Sequence, residues 1–304
     1  MATHFVSVII PVFNNKDYLR ICLDGLSKQT YPAESFEIII VDNSSSQDIE
    51  GVVSDYRQVK LLFESQPGSY AARNKGLTFA KGEIIVFIDS DCLPIPQWIE
   101  YGVNELKKRS ADLAGGQVEF QLSPYKSPAE IYDSVTNMQA KRNIEERQLS
   151  TTANLFTHRY VFEAIGIFPQ DVKSGGDLRW TKKATESGFK LVFAADAVVY
   201  HPARNWKELL KKQFRVGKGQ PMIWLQQGQS LRQTALGTIY CLPPPKPKRL
   251  LASVDEKQRD KVSASLLGVL MVAWSCNIAL ALGRLACVFE QQLIKIMKKS
   301  SLSN

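Results

Sequence analysis

The chain has 304 residues, 44% of them apolar and 22% charged, with a formal net charge of +8. These values exclude a disordered chain and a small disulfide-stapled scaffold, and leave room for one large or two modest domains with a substantial core. The charge is uneven: residues 1–203 carry 21 Lys/Arg against 25 Asp/Glu, a balance of −4, and residues 204–304 carry 17 against 5, a balance of +12.

The first residues, "MATHFVSVIIPVF", have no basic start and no long apolar run, so a signal peptide is not expected there. "FVSVIIPVF" (5–13) predicts a strand, and 16–28 a helix with Leu19, Leu23 and Leu26 along one face. "FEIIIVDNS" (36–44) predicts a second strand, followed by a helix over 46–56 and a short strand over 59–63. A helix from Ser69 to Lys81 leads into "EIIVFID", where an apolar run stops at Asp89, Ser90 and Asp91. Apolar strands joined by helices require a mostly parallel sheet covered on both faces, hence an open α/β fold. Ligands of such sheets bind outside the carboxyl ends of the strands. The ends at Pro11–Phe13, Asp42 and Asp89–Asp91 should therefore meet at one crevice. Cys22, Cys92, Cys241, Cys276 and Cys287 include no C-x-x-C pair, which predicts reduced thiols in place of disulfides or a zinc site.

Neither a G-x-G-x-x-G turn nor a G-x-x-x-x-G-K-[ST] loop is present. Two acids one residue apart suit a hard cation, Mg²⁺ or Mn²⁺, shared with substrate phosphates. They also suit a solvated strand end or a capped turn.

"VSVIIPVFNN", "IIIVDNSSSQD", "GSYAARNKGLTFAKGEIIVFIDSDC" and "SGGDLRW", in that order, resemble the inverting family-two glycosyltransferases of the GT-A fold. The resemblance runs from Phe5 to His201. It implies an α/β GT-A nucleotide-diphospho-sugar transferase fold. It also implies a nucleotide-sugar donor held by Pro11, Phe13, Asn14, Asp42 and Asp89. Asp91 would ligate Mn²⁺ or Mg²⁺, with His201 of "VVYHP" touching the metal or the diphosphate. Arg73 of "AARNKG" would lie near the diphosphate or pair with one of the acids; an exposed helix charge is the alternative. Asp42 could equally cap a turn. On the acceptor side stand Asn154 and Trp180, with Asp177 as the catalytic base; Asp177 could instead be a helix cap. Many relatives carry Glu-Asp where this chain has Gly176-Asp177, which leaves Asp177 as the base by default. "KKQFRVGKGQ" (211–220) reads either as a flexible loop closing over the diphosphate, with Arg215 and Lys218 facing it, or as a solvated basic helix face.

"PPPKPKR" (243–249) is a linker by composition. The 22 residues from Val262 to Gly283 are uncharged, which gives a helix of ~33 Å at 1.5 Å per residue, about one hydrocarbon core. Beyond it, Leu285, Val288, Phe289, Leu293, Ile296 and Met297 form one helical stripe, as on an interfacial helix. Lys257, Arg259 and Lys261 precede the apolar segment, and Arg284, Lys295, Lys298 and Lys299 follow it. A single span would leave one basic cluster outside, so a re-entrant or surface-lying hairpin is expected, or else a buried helical hairpin against the catalytic domain or a dimer partner. The expected plan is a catalytic domain over 1–220, its donor half to about 120, then a linker over 221–261 and membrane-associated helices over 262–299. The chain is expected on the cytoplasmic membrane face, acting on a glycan or lipid-linked acceptor. Its basic residues border apolar helices instead of alternating with aromatics, so no nucleic-acid partner is expected. A homo-oligomer is possible. Two other readings stay open: a non-catalytic nucleotide-sugar-binding protein, and a nucleotidyltransferase.

Overall fold

A computed structural model of the chain describes residues 4–170, 172, 174–226, 228, 230–239, 242–252, 254 and 256–300. Cys241 lies outside the described residues, as do the side chains of Lys257, Lys295, Ile296, Met297, Lys298 and Lys299. Two compact units are present. The first comprises 1–121, 138–170 and 176–202, and the second 122–137, 171–175 and 203–304.

The elements run β1 (Val6–Val12), α1 (Lys16–Leu26), β2 (Phe36–Asp42), α2 (Glu50–Val53), β3 (Val59–Phe63), α3 (Ser69–Phe79), β4 (Ile84–Ile88), β5 (Leu93–Pro94), α4 (Trp98–Arg109) and β6 (Leu113–Gln121). They continue with α5 (Pro128–Thr136), α6 (Ala140–Arg147), β7 (Asn154–His158), α7 (Arg159–Ile165), α8 (Gly176–Glu186) and β8 (Leu191–Pro202). The rest is helical: α9 (Trp206–Gln226), α10 (Leu231–Ile239), α11 (Pro247–Ala252), α12 (Arg259–Ala264) and α13 (Leu266–Ser300).

All eight strands belong to the first unit and form one sheet in the order β3-β2-β1-β4-β7-β6-β8-β5. Four of the seven pairings are parallel: β1 with β2 and β4, β2 with β3, and β6 with β8. β7 runs antiparallel to both β4 and β6, and β5 antiparallel to β8. Every residue of β1 and β4 is buried, as a strand covered on both faces must be. Val12 lies opposite Asp42 in register, so the carboxyl ends of β1 and β2 stand side by side, with β4 on the other flank of β1. The sheet thus has the mostly parallel α/β form that the apolar runs predict, made mixed by antiparallel β7 and β5.

Three local expectations need correction. The helix over 46–56 is a single turn, Glu50–Val53. The side chain of Asp48 accepts from Gly51 N (2.8 Å), an N-cap-type bond that starts the helical turn only after Asp48, and serines, poor helix formers, fill 44–46. Residues 211–220 are not a loop but the middle of α9. Gly217 serves close packing inside the second unit: a Cβ on it would stand 2.1 Å from the Leu280 carbonyl oxygen of α13. Nor do the last apolar residues form a hairpin. Val262 lies inside a separate short helix, and from Leu266 one continuous helix runs through Gly283 and Arg284. Gly283 makes no turn there; a Cβ on it would meet the Phe214 carbonyl oxygen at 2.2 Å.

In the second unit α13 packs along α9, with Trp206 Nε1 donating to Ser275 Oγ at 2.8 Å. Asp133 of α5 is wholly buried among polar partners: Arg204 N at 2.9 Å, Asn137 Nδ2 at 2.6 Å, and Lys212 Nζ at 3.9 Å. Burial, then the neighbouring Arg204 charge, pushes the Lys212 ammonium down to about 8 despite that carboxylate. From Leu266 to Leu293, 28 residues are long and apolar enough to cross a membrane by length and composition. Leu267, Met271 and Phe289 of this helix are exposed.

Candidate active site

The acids that end β4 have separate partners. Arg73 Nη2 donates to Asp89 Oδ1 (2.5 Å), and Asp91 Oδ2 lies 3.4 Å from His201 Nε2. Arg73 is 4% exposed, so it is a buried partner of an acid and not an exposed helix charge. Its buried Nε–H has no partner among the described residues. Cys92, which follows the acids, is fully buried, and burial pushes its thiol well above the ordinary range, as for a packed residue and not a nucleophile. Cys22 and Cys276 are also free thiols, and both are buried, as is Cys287.

The turns after β1 and β2 brace one another. Pro11 is buried in β1, and Phe13, just beyond the strand, is 61% exposed. Asn14 adopts a left-handed backbone (φ 50°), which asparagine tolerates, and its Oδ1 accepts from Ser46 N at 2.7 Å. Asp42 Oδ1 accepts from Ser45 N at 3.0 Å, so this carboxylate does cap a turn, with its other oxygen outside that bond. Asn15 Nδ2 reaches Ser90 Oγ, between the two acids, at 3.3 Å. Asn43, which the sequence reading did not single out, ties the loop before α3: its Nδ2 donates to Glu64 O and Gln66 O, and its Oδ1 accepts from Gly68 N at 2.7 Å. Gly68 has φ +124°, which excludes a side chain there.

Asp177 sits in the first turn of α8. Its Oδ1 accepts from the Tyr70 hydroxyl at 2.9 Å and its Oδ2 from Thr152 N at 3.2 Å. Tyr70 and Arg73 stand three residues apart on α3 and so share a face; the guanidinium carbon is 5.7 Å from the Tyr70 ring centre. One helix turn thereby joins Asp89 to Asp177. Tyr70 and Thr152 escaped the sequence reading because their bonds to Asp177 cross 107 and 25 positions.

Two predicted acceptor residues do other work. Asn154 is 2% exposed, and both ends of its amide are engaged. Its Oδ1 accepts from Trp98 Nε1 (2.9 Å), and its Nδ2 donates to Gln117 O (2.9 Å) and Ala197 O (2.8 Å). Those carbonyls flank the irregularity where the β6–β8 register jumps from Gly116↔Ala194 to Gln117↔Val198, so Asn154 stitches the sheet and has no free donor for a sugar. Trp180 is likewise core: it stacks on Phe162 at 4.2 Å, and its Nε1 donates to Gly166 O at 2.7 Å. Arg215 lies exposed on α9 in the second unit.

Asp91 and His201 fit a divalent cation. His201 Nδ1 lies 2.7 Å from Pro202 O, so this nitrogen donates to that carbonyl and the ring turns Nε2 toward Asp91 Oδ2. No group of three or more His, Cys, Asp or Glu able to hold a metal occurs among the described residues. Mg²⁺ and Mn²⁺ are ordinarily held by one or two carboxylates with substrate phosphates completing the shell, so a two-donor protein site suffices.

The profile of glycosyl transferase family 2 matches residues 7–159. The chain is 41% identical over 296 residues to glycosyltransferase AglE of Haloferax volcanii, across 95% of this chain and 97% of that one. Among solved structures it is similar to mannosyltransferase PcManGT of Pyrobaculum calidifontis in complex with GDP-Man and Mn²⁺, with TM-score 0.64 and 20% identity over 94% of this chain and 88% of that one. It is also similar to S. aureus TarS in complex with UDP-GlcNAc, with TM-score 0.53 and 18% identity over 90% and 91% of the two chains. At these identities the two structures speak for the fold.

Proposed function

The chain belongs to glycosyl transferase family 2, which transfers sugar from a nucleotide-diphosphate donor to an acceptor, and from that premise we propose an inverting, metal-assisted transfer from a UDP-sugar to a hydroxyl of a glycan or lipid-linked acceptor. One observation carries the reading: α3 bonds to Asp89 through Arg73 and to Asp177 through Tyr70, which links the paired acids of a strand mouth to a separate carboxylate. A donor site and a general base need that pairing.

In this reading Phe13, Asn14 and Asp42 receive the nucleoside. The free oxygen of Asp42 accepts from a ribose hydroxyl or a base N–H. Asp89, held by Arg73, faces the ribose, and Asp91 with His201 holds Mn²⁺ or Mg²⁺. The cation supplies Lewis-acid neutralisation of the departing diphosphate. Asp177 Oδ takes the proton of the acceptor hydroxyl as that oxygen bonds to the anomeric carbon and the bond to the diphosphate breaks. Attack from the face opposite the leaving group inverts the centre. A positioned base contributes roughly 10²–10⁴-fold. Asn154 and Trp180 are not part of this machinery, because their polar atoms are engaged inside the fold.

The catalytic residues are assigned to the sheet-bearing unit, which ends at Pro202, and the membrane-associated segment to 262–299, with α13 lying on or in the cytoplasmic leaflet. Its exposed Leu267, Met271 and Phe289 and the basic balance of the last hundred residues support that placement. Nucleotide release from a panel of UDP-, GDP- and dTDP-hexoses, with and without Mn²⁺, tests the reading. Release favouring UDP-sugars and requiring metal is expected. A protein that binds these donors and turns none over with any acceptor supports a nucleotide-sugar-binding protein instead.

A further inference from the structure

The chain carries Gly176 directly before Asp177, and the structure gives that glycine a reason. A Cβ at 176 would stand 2.8 Å from Cε2 and 2.9 Å from Cζ of Tyr70, closer than real side chains approach. The ring of Tyr70 fills that space, buried against Phe168 at 6.1 Å between ring centres. Its hydroxyl makes two bonds of opposite sense: it accepts from Gly176 N at 2.8 Å and donates to Asp177 Oδ1 at 2.9 Å. The first bond satisfies an N–H at the start of α8, one that no helix carbonyl can reach. It also fixes the direction in which the hydroxyl proton points.

We infer that Tyr70 is the positioning residue of Asp177: it holds one carboxylate oxygen from α3, while Thr152 N–H holds the other, so that the remaining lone pairs face a single direction. This rests on the reading of Asp177 as the general base. The ring sits on the same face of α3 as Arg73, so one rigid turn sets the base relative to the paired acids. Misplacing a catalytic group by about an ångström can cost about 10²-fold. Burial first, and the Asp177 charge next, push the Tyr70 phenol far above its ordinary range, which keeps it a donor wherever the enzyme works. A hydrogen bond donated to a carboxylate favours its charged form, so the pH dependence of turnover reads whether this bond is made.

The test compares Tyr70→Phe, Asp177→Asn and the double variant in the full chain. Turnover is read as nucleotide release from UDP-, GDP- and dTDP-hexoses, with water as acceptor where no glycan is supplied. Nucleotide affinity and thermal melting serve as controls. Tyr70→Phe should lower kcat by about 10-fold or more with nucleotide affinity unchanged, and its acidic pH–rate limb should move to higher pH. In the Asp177→Asn background the same change should cost nothing further. Because Tyr70→Phe could disturb packing, 3-fluorotyrosine at position 70 provides a second variant. It keeps ring and hydroxyl, donates more strongly, and should move the limb to lower pH. A limb that stays in place in both variants, or a Tyr70→Phe loss that persists in full beside Asp177→Asn, overturns the inference and leaves the base reading intact. Transfer that survives Asp177→Asn, or a wild type that releases no nucleotide from any donor, removes the base reading and the inference with it.

Discussion

Replacing Asn154 by alanine separates a structural amide from a substrate contact. The side chain is buried and holds three groups: Trp98 Nε1–H from α4 and the carbonyls of Gln117 and Ala197 across the β6–β8 irregularity. Truncation leaves the Trp98 N–H in the core without a partner, at ~1–3 kcal/mol, and removes one bond from each carbonyl, at ~0.5–1.5 kcal/mol apiece. The sum is about 4 kcal/mol, a large share of an ordinary domain's ~5–15 kcal/mol but not all of it. Gly116 adds a constraint, since a Cβ there would come 2.3 Å from Asn154 Nδ2; the amide and the glycine were fitted to each other. Urea denaturation followed by tryptophan fluorescence reads the loss. Asn154→Asp should cost more than Asn154→Ala, because a carboxylate would face two carbonyl oxygens. Nucleotide affinity of the folded fraction should stay near wild type. An Asn154→Ala protein as stable as wild type that nonetheless fails to transfer would refute this reasoning and return Asn154 to the acceptor site.

Asp91→Asn should erase the part of UDP affinity that depends on Mn²⁺ while leaving the metal-free part in place; calorimetry on a wild type indifferent to Mn²⁺ would dismiss the cation. Lys212 titrates at about 8 in the folded chain against an ordinary 10.5, so between those values the unfolded chain binds more protons and stability rises with pH. Lys212→Met should lack that rise in urea titrations at pH 8 to 9.5, and a rise identical to wild type would place its origin elsewhere. Leu267→Ser with Phe289→Ser should reduce sedimentation with anionic vesicles without changing the circular dichroism of the helix; unchanged sedimentation would argue against α13 as the lipid contact.

The half of the site built from consecutive residues was legible in the sequence. Apolar runs marked β1, β2 and β4, and the abrupt stop at Asp89-Ser90-Asp91 marked a strand mouth needing positive partners. Both partners, Arg73 and His201, stood among the candidates that the family resemblance supplied, and the structure sets each beside one of the half-buried acids. What stayed hidden depends on contacts between distant positions. Nothing near Asn154 announces that Ala197 and Trp98 need its amide. The glycines of "RVGKGQ" suggest a mobile loop until the Leu280 backbone is seen against Gly217. Antiparallel β7, wedged between β4 and β6, breaks the parallel order without any local signal. Gly176 was the one visible trace of Tyr70: a missing side chain whose space another residue had taken.

Asp177→Asn, assayed for nucleotide affinity and for sugar transfer on the same preparation, tests the central claim most directly. The amide keeps the shape, can still accept from Thr152 N–H, and cannot take a proton at neutral pH. Donor and Mn²⁺ affinity should remain near wild type while transfer falls by roughly 10²-fold or more. Transfer within a few fold of wild type would contradict the account and leave Asp177 as a cap on α8.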